Sequence, residues 1–99
     1  MTLEILVSRE AQADIAVAVA GYRDIAPVLG SRFGEELERI YLSIVEYPQM
    51  YPVVYKNFRR GLLRKYPYSV FYIVEESFVL IVGVIHQSRD ESTWKRRAQ

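Results

Sequence analysis

Ninety-nine residues, 51% hydrophobic and 25% charged, suffice for one modest core and lie outside the composition of disordered chains. The lack of any cysteine excludes disulfides and thiolate chemistry and fits a reducing compartment. Net charge is only +1, yet residues 1–55 hold four basic and eight acidic side chains (−4) while residues 56–99 hold nine and four (+5), so the C-terminal half is the side expected to meet a polyanion or an acidic protein segment.

The chain opens MTLEILVSREAQAD, with early acids and no long apolar h-region. The longest apolar run, Phe78 to Ile85, is far shorter than the roughly 20 residues that span a bilayer. A soluble, cytoplasmic protein without a membrane partner is expected. Thr2 to Val7 reads as a strand in which Leu3, Ile5 and Val7 alternate with their neighbours. Ser8 offers a side-chain oxygen as helix N-cap. From Arg9 the period becomes helical, with Ala11, Ile15, Ala18, Val19 and Tyr22 on one face.

A second helix starts near Pro27, whose missing N–H costs nothing in a first turn, and stops before Pro48. Leu29, Phe33, Leu37, Ile40, Tyr41, Ile44 and Val45 form its apolar stripe, and Arg32, Glu35, Glu36, Glu38 and Arg39 are expected to face water. Four extended segments follow: Pro52 to Tyr55, Gly61 to Tyr66, Tyr68 to Val74 and Phe78 to Ile85. Pro67 belongs at a bend between two strands, and FVLIVGVI lacks alternation, as a strand buried on both faces does. Asp90 to Arg97 reads as a short basic helix capped by Asp90 or Ser92. The predicted architecture is α+β over residues 1–99 as a single domain: an N-terminal strand, a two-helix hairpin on a mostly antiparallel four- or five-stranded sheet, and a short C-terminal helix or tail.

In this order the residues resemble the RelE/ParE superfamily of small bacterial toxins. The resemblance rests on Arg59-Arg60, Tyr66-Pro67-Tyr68, Phe71-Tyr72, the apolar strand Val79 to Ile85, His86-Gln87-Ser88-Arg89-Asp90, and an ending with Trp94 and Arg97. It covers nearly the whole chain. It implies the toxin of a type II toxin–antitoxin module, of the plasmid-stabilisation kind, held inactive by a cognate antitoxin whose flexible segment wraps it. Some members of the superfamily cut messenger RNA on the ribosome without a metal; the ParE branch binds DNA gyrase.

Metal-free RNA cleavage needs a group to activate the 2′-hydroxyl, a proton donor for the leaving oxygen, and cations for the developing charge. His86, Arg89 and Arg60 are the catalytic candidates, His86 because its ordinary pKa lies near neutrality; one histidine at a strand end is more often a structural hydrogen-bonding residue. Against the nuclease branch, Ser69 stands where that branch has an arginine, another of its arginines lies near Gln87, and Thr93 or Trp94 takes the place of its C-terminal tyrosine. An indole transfers no proton. The resemblance therefore leans to a ParE-like inhibitor, with an endoribonuclease and a non-toxic binding module as alternatives.

Lys56, Arg59, Arg60, Arg64 and Lys65 form a run without acids that, with Arg89, Trp94, Arg96 and Arg97, would contact a gyrase surface, ribosomal RNA or an acidic antitoxin segment. Basic side chains on strands also protect exposed sheet edges. The tyrosines suit base stacking or plain packing. These cations are expected to converge on one exposed surface beside the strands, opposite the helices. No cofactor and no metal is called for, and a homodimer or a heterotetramer with antitoxin is compatible with so small a chain.

Overall fold

The computed structural model describes residues 3–98. Strand β1 (Glu4–Val7) leads into helix α1 (Arg9–Ile25), whose first turn is closed by Ser8: its hydroxyl accepts the Ala11 N–H at 3.1 Å. Ala26 alone separates α1 from helix α2 (Pro27–Glu46), where the proline occupies the first turn. Strands β2 (Val53–Tyr55), β3 (Phe58–Leu62), β4 (Tyr68–Val74) and β5 (Phe78–His86) follow, then one helical turn, α3 (Ser92–Lys95). Thr2, expected to open the first strand, lies outside the described residues.

The five strands form one sheet in the order β1-β5-β4-β3-β2. Its pairings are antiparallel except for β1 with β5, which run parallel, the helical hairpin and the β2–β4 meander lying between them in the chain. Phe33, Leu37, Ile40 and Ile44 of α2 and Ala11 and Ala18 of α1 bury against Val70, Tyr72, Val79, Ile81 and Val84. Gly61 allows this contact, since a Cβ there would stand 2.7 Å from Ile40 Cδ1. The opposite face carries a smaller cluster, Phe58, Phe71, Val82 and Ile85, beneath Trp94.

Three expectations change. The strand placed at Gly61 to Tyr66 is Phe58–Leu62, because Lys56-Asn57 form a two-residue turn that sets Tyr55 opposite Phe58. Residues 63–67 form the bend: Leu63 N–H donates to Tyr68 O, and Pro67 has no N–H for a ladder. The C-terminal helix is shorter than Asp90 to Arg97 and has no side-chain cap; Asp90 instead accepts the Ser92 N–H at 3.3 Å. Glu36, assigned to the wet face of α2, is 6% exposed. It occupies the i+3 place between Phe33 and Leu37, inside the apolar stripe.

Candidate functional site

Alternation along β3 sends its two arginines to opposite sides of the sheet. Arg59 lies opposite Tyr72, on the helix face, and Arg60 opposite Phe71, on the other. Arg59 ties the chain after α2, donating to Tyr51 O at 2.7 Å and Gln49 O at 3.2 Å. Arg60 belongs to a row across three strands, Arg60–Phe71–Gly83, beside a second row, Leu62–Ser69–Ile85.

A β-bulge shapes this face. Phe71 pairs with Gly83 and Tyr72 with Ile81, which leaves Val82 as the extra residue. Ile81 and Val84 therefore pack under the helices while Val82 and Gly83 both turn to the other side. Over this surface Trp94 stacks on Phe71, with centroids 4.3 Å apart and planes at 24°, and meets the Tyr55 ring edge-on at 6.2 Å.

The tail beyond Trp94 is fastened by Arg97. Its guanidinium grips Asp14 of α1 through two nitrogens (2.7 and 3.1 Å) and donates to Val82 O at 3.0 Å. Asp14 also accepts the Val84 N–H at 3.0 Å, so one ion pair caps the half of β5 that extends past β1. The hydrogen bond and charge of Asp14 raise the Arg97 pKa above its ordinary value despite burial. Gly83 makes room: a Cβ there would meet Arg97 Nη1 at 3.1 Å.

Between Trp94 and the strands lies a cleft of about 280 Å³ whose lining includes Arg60, Ser69, Phe71, His86, Arg89, Glu91 and Trp94. All three catalytic candidates border it, and His86, at the end of β5, and Arg89, in the loop after it, also border a second groove beside α1. Glu91 is engaged by Lys95 at 2.9 Å, whereas neither Arg60 nor Arg89 has an acidic partner among the described residues. The His86 ring stands edge-on to Tyr68 at 5.1 Å. Its Nδ1 accepts the Ser88 N–H at 3.0 Å, with Ser88 Oγ at 2.8 Å. A backbone N–H has no other role to take, so the neutral ring carries its proton on Nε2, and the nitrogen able to accept one is occupied.

The other predicted cations do not join this cleft. Lys56 stands at the β2–β3 turn with φ 51° and its Nζ 5.6 Å from the Tyr55 centroid. Arg64 and Lys65 are exposed in the bend, Lys65 bordering a groove of about 560 Å³ beside Tyr22, Leu29, Arg32 and Tyr66 on the helix side. Arg96 is exposed at the end of α3; Arg97 is committed to Asp14. The expected single basic surface is therefore divided into the cleft pair, the bend and the hairpin tip.

Sequence reasoning gave no role to Asp14, Gly83 and Ser88 and placed Glu36 on the wet face. For Glu36 the signal was present, in its place between core positions and its i,i+3 partner Arg39, which it meets in a short ion pair. Burial pushes the Glu36 carboxyl up, but the Arg39 hydrogen bond and charge and the backbone N–H groups of Arg64 and Lys65 outweigh it and hold the pKa below its ordinary value. Asp14 gave no signal, being 83 residues from Arg97.

Among the described residues no helix is long and apolar enough to cross a membrane, and no three His, Cys, Asp or Glu side chains group as metal ligands. The profile of the ParE toxin of type II toxin-antitoxin system, parDE, matches residues 5–91. A solved structure described as the chromosomal ParDE TA system from P. aeruginosa superposes with a TM-score of 0.74 over 85% of this chain and 95% of that one, at 15% sequence identity; the likeness is one of fold. No curated protein matches the sequence.

Proposed function

The chain belongs to the ParE toxin family of type II toxin–antitoxin systems, and from that premise we propose that it arrests growth in the cytoplasm by binding DNA gyrase and is neutralised by a cognate antitoxin. A binding mode is supported by one observation above the rest: the cleft presents two guanidinium groups, Arg60 and Arg89, that no acidic side chain pairs with among the described residues. His86 Nδ1 is occupied by Ser88, Trp94 is stacked on Phe71, and Ser69 is buried in the strand row. Two such guanidinium groups hold an anion well, and the one histidine nearby has its Nδ1 occupied.

Purified protein is expected to inhibit gyrase supercoiling while leaving ribosome-bound message intact. Message cleavage with unaffected supercoiling would overturn the reading. Arg60, His86 and Arg89 in one cleft favour a second reading, a metal-free endoribonuclease. That reading requires His86→Ala with Arg89→Ala to abolish growth arrest. Expression that never slows growth in a host without the antitoxin would point to a non-toxic binding module instead.

A further inference from the structure

Helix α1 is apolar on both sides, which a helix with one face in water ordinarily is not. Its inner face, with Ala11 and Ala18, covers the sheet. Its outer face carries Val17, 74% exposed and the most exposed large hydrophobic side chain among the described residues. Ala13 and Gly21 stand one turn to either side of Val17, with exposed Ala16 and half-buried Ala20 beside them. Between Glu10 and Arg23 the one charged residue is Asp14, and it is bonded to Arg97 and the Val84 N–H. The outer face of α2 differs, bearing exposed Arg32, Glu35, Glu38 and Arg39. Nor does the chain itself require glycine at position 21. A Cβ there would meet nothing within 4 Å, yet glycine costs about 1 kcal/mol against alanine inside a helix.

We infer that this face is an interface with a second copy of the chain, the two α1 helices lying antiparallel about a two-fold axis between Ala16 and Val17. The charges at the helix ends select that occupant. Arg9 and Glu10 lie as far before the axis as Asp24 and Arg23 lie after it. The two-fold therefore sets Arg9 against the partner subunit's Asp24 and Glu10 against the partner subunit's Arg23, each contact made twice. A parallel pair would instead set like charge on like. Arg9, Arg23 and Asp24 have no ion-pair partner in their own chain among the described residues, and Glu10, 3.6 Å from Arg97 Nε, keeps its side chain 66% exposed. Small side chains around Val17 let the helix axes approach to about 8 Å, and opposed macrodipoles favour the antiparallel sense. Seventeen residues make a contact about 25 Å long, at the small end of specific interfaces. The dimer is accordingly expected to dissociate at about 10–100 µM. The cleft with Arg60 lies on the other face of the sheet, so the inference is independent of the gyrase reading.

Sedimentation equilibrium of the intact protein from about 1 to 500 µM reads the association directly. Wild type is expected to pass from monomer to dimer within that range. Val17→Glu, at a position open to solvent, is expected to raise the dissociation constant about tenfold or more while the denaturation midpoint of the monomer holds. Two charge variants test the geometry, and both suit the dipole of their own helix, an acid at its start and a base at its end. Arg9→Asp sets acid against acid across the two-fold, and Asp24→Arg sets base against base. Each alone is expected to weaken self-association about tenfold, and an equimolar mixture is expected to associate as wild type does, because each chain then meets the opposite charge on the other. A chain that stays monomeric throughout assigns the face to a different protein and overturns the inference. So does a dimer that Val17→Glu leaves undisturbed, or a mixture that associates no more tightly than its components.

Discussion

Tyr41 buries its hydroxyl without a hydrogen-bond partner, while Tyr72, fully buried, donates its own to Pro48 O at 2.8 Å. The same phenol is thus a liability at one position and a tie at the other. Tyr41→Phe removes an unsatisfied polar atom and is expected to raise unfolding stability by about 0.5–1 kcal/mol, whereas Tyr72→Phe is expected to lower it by about 1 kcal/mol. Chemical denaturation of the two variants beside wild type reads both signs at once; a loss of stability in Tyr41→Phe would mean that its hydroxyl is bonded after all. Neither role was visible in the sequence. Both tyrosines sit on apolar stripes, and periodicity reports that a ring is inside without reporting where its oxygen ends.

Elements were legible wherever a period acts over several residues. Phe33, Leu37, Ile40 and Ile44 announce the buried stripe of α2, Ser8 announces the start of α1, and the uninterrupted FVLIVGVI announces a strand covered on both sides. Short features decided by one or two side chains were not. The Lys56-Asn57 turn moved β3 back by three residues, and Glu36 entered the core through one ion pair. Of the candidate site, His86, Arg89, Arg60 and Trp94 were legible as residue types and the structure brings them into one cleft, yet what holds them was hidden, since Arg97 and Asp14 meet only through the fold. That clamp joins the tail to α1 across the free half of β5. Asp14→Ala strips the partner from both Arg97 and the Val84 N–H, and is expected to cost about 2–4 kcal/mol. Gly83→Val should loosen the same clamp by displacing the guanidinium, and red-shifted Trp94 emission should accompany both changes. Variants as stable as wild type with unshifted emission would show that Trp94 alone anchors the tail.

At the scale of the whole molecule, the buried ionisable groups bound stability from both ends of the pH range. The Glu36 pKa is depressed in the fold, so the unfolded chain takes up its proton first as pH falls. Its contribution is complete above the unfolded value near 4.5 and disappears as pH drops through the lower folded value. The tyrosines act in the opposite sense. Burial pushes Tyr41 and Tyr72 up to about 12, against 10.0 when free, and also raises Tyr22 and Tyr68. Their contribution is intact below pH 10 and is lost as pH rises toward 12, because the unfolded chain ionises while the folded one resists. Each such tyrosine removes at most about 1.4 kcal/mol per pH unit across that window. Denaturation midpoints between pH 3 and pH 11.5 should therefore form a plateau with two descending limbs. Glu36→Gln is expected to flatten the acid limb alone and Tyr41→Phe the alkaline limb alone. An acid limb as steep in Glu36→Gln as in wild type would place the acid sensitivity in other carboxylates and remove Glu36 from that role.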